Sequence, residues 1–181
     1  MSLTKYFIAI VPPEPVFSEI ENIKRVVSEN YNNKSALRSP AHITLHMPFQ
    51  WKEEKENILI EKLKLFSYPD TFKINLKNYS GFEPRVLFVD VIKNNSLDEL
   101  QNNLVQFVKV NFNIFNQADD KRGFRPHVTI AFRDLKKELY YKAIEEYRQK
   151  TFDAEFLCNS FCLLKHTGKH WLVKEEFCFV A

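Results

Sequence analysis

The sequence predicts an α+β fold of two pseudo-symmetric lobes, each an antiparallel sheet with helices on its outer face, with one cleft between them in a single bilobal domain of residues 1–181. Three observations lead there. Short runs rich in β-branched and aromatic residues alternate with amphipathic helical stretches. Several strands come in consecutive pairs around turn signals, as antiparallel sheets require, instead of being separated by long crossovers. The order of a His-x-Thr strand, a helix and then paired strands occurs once in each half of the 181 residues.

The elements follow in order. A first strand over roughly residues 5 to 12 ends at Val-Pro-Pro. Pro13 and Pro15 then introduce a helix whose Val16, Phe17, Ile20, Ile23, Val26 and Val27 fall at helical spacing, so it covers a sheet with one face. A polar loop leads to HITLHMPFQ, an alternating strand, and next comes a Glu/Lys-rich helix carrying Ile58, Ile60, Leu63 and Phe66, its charged side a solvated face. TFKINLKNYS and RVLFVDVIK read as strands separated by the turn Gly81-Phe82-Glu83-Pro84. Ser96 and Glu99 have the spacing of a capping box for a helix through Leu97, Leu100, Leu104, Phe107 and Val108. After NQADDKRGFRP comes a second motif strand, HVTIAFRD. A helix with Leu139, Ile144 and Tyr147 follows, then TFDAEFLCN, and last SFCLLKH and HWLVKEEFCFV joined by a hairpin at Thr167-Gly168.

Composition excludes several classes. Hydrophobic residues at 45% and 17 Phe mark a folded chain with a phenylalanine-rich core and not a disordered one. A net charge of +3 is too mild for a protein that coats nucleic acid by charge alone. Cys158, Cys162 and Cys178 are odd in number, lack zinc-ligand spacing and sit in apolar strands, which suits a reduced, cytoplasmic setting. The apolar run YFIAIV is too short for a membrane span, so no membrane partner is expected, and a monomer is the simplest assembly. Protein partners are not legible in the sequence.

The chemistry rests on a repeated word. His42-Ile43-Thr44-Leu45 and His127-Val128-Thr129-Ile130 share the pattern His-apolar-Thr-apolar, whereas chance supplies roughly 0.2 His-x-Thr pairs in such a chain. On a strand, positions i and i+2 share a face about 6.6 Å apart, so an imidazole and a hydroxyl can reach different atoms of one phosphate. Two such strands meeting at a twofold axis would flank a phosphorus with His42 and His127 and hold its oxygens with Thr44 and Thr129. Near neutral pH one imidazole then serves as base and the other as acid, a scheme with no metal or other cofactor. The sequence also lacks a Gly-x-x-x-x-Gly-Lys loop, and its only adjacent aspartates are Asp119-Asp120.

The two motifs, as AHITLHMPF and FRPHVTIAF, together with Phe124-Arg125-Pro126 and Gly81-Phe82-x-x-Arg85, resemble the 2H phosphoesterase superfamily, which includes 2′-5′ RNA ligase-like and RNA 2′,3′-cyclic phosphodiesterase proteins. The resemblance spans most of the chain. It implies a bilobal α+β fold, cyclic or linear phosphodiesters of nucleotides or RNA ends as substrates, acid and base roles shared by His42 and His127, and phosphate held by Thr44 and Thr129. The continuation HMPFQW departs from the Ala-Phe-Leu-Gly-like stretch of many cyclic phosphodiesterases and points to the ligase-like branch.

Other residues carry two readings each. Arg125 either contacts phosphate or forms a salt bridge at the start of its strand. His46 shares the face of His42 and Thr44 on a regular strand and so either lines the cleft or is a structural residue. A metal shared by His42 and His46 is disfavoured, because positions four apart on a strand are about 13 Å apart. Phe82 and Phe124 either stack on a base or pack in the core, and Arg85 is a further candidate for the cleft lining. Three functions compete: hydrolysis of a cyclic phosphodiester, 2′-5′ joining of RNA ends, and binding of an RNA end or nucleotide without turnover.

Overall fold

The structure is a computed structural model that describes residues 2–117 and 123–179. Its elements run β1 (Leu3–Ile10), α1 (Val16–Tyr31), β2 (Ile43–Lys52), α2 (Glu56–Leu63), β3 (Phe72–Phe82), β4 (Val86–Val91), α3 (Asn95–Phe112), β5 (His127–Ala131), α4 (Lys137–Arg148), β6 (Asp153–Cys158), β7 (Ser160–His166) and β8 (Trp171–Cys178). All strand pairs are antiparallel, in the order β6-β3-β4-β5-β2-β1-β7-β8. The two expected sheets are thus one sheet, bridged at its centre by the pair Ile43↔Val128 between β2 and β5.

That sheet is not flat. β6 and β7 stand near opposite ends of the strand order, yet only Asn159 separates them in the chain. Laid flat they would be roughly 29 Å apart at about 4.8 Å per strand, far beyond the reach of one residue. The sheet therefore curls into an open half-barrel with helices on one side.

Ile43, Leu45, Val128 and Ile130, each at most 1% exposed, join Ile20, Val27, Leu100, Leu104 and Ile144 of the helices in the main core. Each such fully buried aliphatic side chain contributes about 2 kcal/mol. A smaller apolar cluster, Phe7, Ala9, Cys162 and Leu164, is separate from that core. Cys158 and Cys162 are buried as expected, but Cys178 is exposed because the alternation of β8 turns it outward.

The twofold relation holds for the units β1-α1-β2-α2 and β4-α3-β5-α4. Of the strands outside these units, β3 and β6 extend the half of the sheet that holds β4 and β5, while β7 and β8 extend the half that holds β1 and β2, so the first half of the sequence does not build one lobe by itself. The crossover helices exchange, with α1 packing on β5 and α3 on β2. Local periodicity shows which face of a strand is buried but says nothing about which neighbour it pairs with.

Three local expectations change. The N-cap of α3 is Asn94, whose side chain accepts from Leu97 N at 3.1 Å, so Ser96 lies inside the first turn. Glu56 of α2, read as part of a solvated face, is buried. It accepts from Tyr6 Oη at 2.7 Å and pairs with Lys165 and Lys174, and these partners outweigh burial to hold its pKa down at about 2. Gly81 lies in β3 and not in the turn, and an added Cβ would sit 2.5 Å from Tyr140 Oη and 2.8 Å from the Val86 carbonyl. Since Tyr140 is 1% exposed and cannot swing away, Gly81→Ala is expected to destabilise the protein by about 1–3 kcal/mol in urea titration; an unchanged midpoint would contradict this close approach.

Candidate active site

β2 and β5 place the two motifs by alternation. With Ile43, Leu45, Val128 and Ile130 locked under the helices, His42, Thr44, His127 and Thr129 emerge half-buried on the opposite face and line one cavity of about 570 Å³. Counting outward from the Ile43↔Val128 pair in antiparallel register sets His42 opposite Thr129 and Thr44 opposite His127. Each histidine thus faces the threonine of the other motif.

The two imidazoles are anchored alike. His42 Nδ1 lies 2.6 Å from the Pro40 carbonyl and His127 Nδ1 lies 2.7 Å from the Arg125 carbonyl, in both cases two residues upstream. A carbonyl only accepts, so Nδ1 carries the proton in each ring, and Nε2 is left as the atom available to a ligand. The aromatic supports obey the same twofold. Phe7 meets His42 and Phe88 meets His127, each with centroids 4.8 Å apart and planes at 49°. Behind them, Trp171 packs on Phe7 at 4.7 Å and Phe82 on Phe88 at 4.6 Å.

Burial in this aromatic setting disfavours the charged form of both rings. It pushes the pKa of His42 down to about 4, against the pull of the Pro40 hydrogen bond, and the charges of Lys24 and His127 lower it further. Burial likewise lowers that of His127, where the Arg125 carbonyl opposes the shift, the Arg125 charge adds to it and the Asp90 carboxylate counters it. In the unfolded chain His42 binds its proton near pH 6.5, so below that pH the unfolded state takes up more protons than the folded one and stability drops. Folding stability should therefore fall between pH 6.5 and about 4, with His42 alone accounting for about 2 kcal/mol near pH 4.5. Urea midpoints across that range, compared with those of a His42→Phe variant, measure it; parallel pH dependences in the two proteins would refute the assignment.

Arg125, Phe82 and Phe124 line the cavity, and the Arg125 guanidinium lies 4.8 Å above the Phe82 ring. Among the described residues Arg125 has no carboxylate within salt-bridge distance. Two expectations are corrected. A β-bulge at Leu45, between the pairs Ala9↔Thr44 and Ile8↔His46, turns His46 to the core side, where it is 1% exposed and packs against Phe49. His46 does not line the cavity. Arg85 is exposed in the turn after β3 and lies outside the lining as well, because that turn extends beyond the sheet. Asp119 and Asp120 fall outside the described residues, among which no three His, Cys, Asp or Glu side chains are grouped to hold a metal.

Sequence reading missed Phe7, Phe88, Trp171 and Asp90. Phe7 and Phe88 sit in the strands that flank the two motif strands, so the strand pairing alone would have revealed them. Trp171 comes from the terminal hairpin, and no local signal links it to the site.

A curled eight-stranded antiparallel sheet with four helices is the fold of the LigT-like 2H phosphoesterases. The chain belongs to the 2'-5' RNA ligase superfamily, whose family model matches residues 12–170. It is 27% identical over 177 residues to the Geobacillus kaustophilus protein named "Putative phosphoesterase GK0864", covering 96% of this chain and 95% of that one. In fold it is similar to the crystal structure of E. coli LigT complexed with 3'-AMP (TM-score 0.67, 17% identity, 99% of this chain and 100% of that one). It is also similar to TT0787 of Thermus thermophilus (TM-score 0.66, 21% identity, 97% of each chain). Among the described residues no helix is long and apolar enough to cross a membrane.

Proposed function

We propose that the protein hydrolyses a 2′,3′-cyclic phosphate, or a related phosphodiester of a nucleotide or RNA end, by acid-base catalysis between two histidines. The observation that carries this reading is the twofold pair of Nδ1-anchored imidazoles lining one cavity with two threonines. One Nε2 accepts a proton from water as its oxygen attacks phosphorus. The other, protonated, donates to the ribose oxygen that leaves, while Thr44 and Thr129 donate to the non-bridging oxygens.

The proton transfers are complete without a Lewis acid, so turnover should survive EDTA. A cavity of about 570 Å³ is the size of a small-molecule site, and its aromatic walls suit a nucleoside. The fold relative LigT has been solved with 3'-AMP, ATP and NADP+. Arg125, exposed beside the cavity, is the candidate for a further phosphate oxygen.

A panel of 2′,3′-cyclic mononucleotides and short RNAs ending in cyclic phosphate, assayed in EDTA, tests the reading. Binding without turnover across the panel would replace it with a binding module. The name of the family makes 2′-5′ joining the second reading, with a ribose hydroxyl in place of water. Joined product from cyclic-phosphate and hydroxyl-ended RNA halves would establish it.

A further inference from the structure

The charged neighbours of the two histidines do not obey the twofold. Beside His42 lies a buried ion pair, and the described residues around His127 do not repeat it. Lys24 of α1 is 1% exposed, and its Nζ donates to Glu21 Oε1 and to the Ser39 carbonyl, both at 2.6 Å. The same Glu21 oxygen accepts from Ala41 N at 2.6 Å. The backbone is thus tied to α1 on both sides of Pro40, whose carbonyl accepts from His42 Nδ1. Burying an ammonium is costly and is tolerated here because a carboxylate and a carbonyl both accept from it.

In the other lobe the charged neighbours of His127 are Arg125, two residues upstream, and Asp90, which pairs with it in the β4–β5 ladder. We propose that Lys24 and Glu21 are a positioning pair that fixes residues 39–41 and thereby makes His42 the proton acceptor of the site and His127 the donor. Two effects act in the same direction. The clamp keeps the Pro40 carbonyl aimed at Nδ1, so Nε2 presents its lone pair to the cavity. The groups of other elements that face His42 in charge terms are Lys24 with Glu21 from α1 and His127 from β5, and both cations oppose a proton on His42. At His127 the Arg125 charge also opposes a proton, but there the Asp90 carboxylate offsets it in part.

In the resulting step water loses its proton to His42 Nε2 as its oxygen bonds to phosphorus. The bond from phosphorus to the departing ribose oxygen breaks, and that oxygen takes the proton of His127 Nε2. Exchange with solvent restores both rings. The acid and base roles rest on the phosphodiester reading, whereas the positioning of His42 does not.

Nitrogen-15 NMR of the imidazoles tests this on the full chain, alongside kinetics with a 2′,3′-cyclic mononucleotide. In wild type, His42 should carry its proton on Nδ1 and titrate below His127. In Lys24→Met, and in the double variant Lys24→Met/Glu21→Gln, the His42 midpoint should rise by about one pH unit while that of His127 stays. In parallel, kcat should fall about tenfold or more with little change in KM, and the acid limb of the pH–rate profile should move up with His42. A folded variant with an unchanged His42 midpoint and tautomer overturns the proposal. So does a wild-type His42 protonated on Nε2 or titrating above His127, whether or not any variant folds. Expected NMR behaviour in a wild type that turns over no substrate would instead sink the phosphodiester reading and leave the positioning intact.

Discussion

Replacing either His42 or His127 by alanine should lower kcat/KM for a cyclic phosphodiester by about 10²–10⁴-fold, the range that one positioned acid or base supplies. The two losses should not add. Once one proton transfer is gone, the other imidazole has no concerted partner, so the double variant should fall little below the worse single one. Circular dichroism and the urea midpoint should stay near wild type, since both rings are half-buried at the cavity wall and sit outside the main core. Rate measurements on purified single and double variants check this. Near-native turnover in both single variants would remove the histidines from the mechanism.

Phe88→Ala should be the most damaging single change to stability, at about 3–5 kcal/mol. Phe88 is fully buried, and its ring meets Phe82 at 4.6 Å and His127 at 4.8 Å. Its removal leaves a void between β3, β4 and β5 that a twisted sheet cannot close. Activity should fall as well, because the ring that holds the His127 imidazole in place is lost. Phe7, 3% exposed, supports His42 in the same way, so Phe7→Ala should cost a similar amount. Urea titration of both variants measures the effect. A loss below about 1 kcal/mol for Phe88→Ala would mean that the site collapses without harm.

Much of this fold was legible because strand and helix periodicities survive in single segments. The twelve principal elements fall where alternation, helical spacing and turn residues place them, and the His-x-Thr faces follow from Ile43, Leu45, Val128 and Ile130. What was not legible depends on contacts between segments. That β3 and β4 join β5 and that β7 and β8 join β1 is a pairing choice with no local trace. His46 was misplaced because one extra residue at Leu45 turns it to the opposite face before a second irregularity ahead of Phe49, and no proline or glycine marks the bulge at Leu45. The pairing of Lys24 with Glu21 looks in sequence like any exposed i, i+3 pair, and only tertiary burial gives it a role.

The interleaved order of strands also bears on how the molecule moves. Because the chain leaves the half that holds β1 and β2 and returns to it with β7 and β8, and because α1 packs on β5 and α3 on β2, each half leans on elements of the other, and a hinge between them would have to tear the β2–β5 bridge. The spacing of the two rings is therefore tied to the pairing of β2 with β5, the same contact that joins the two halves.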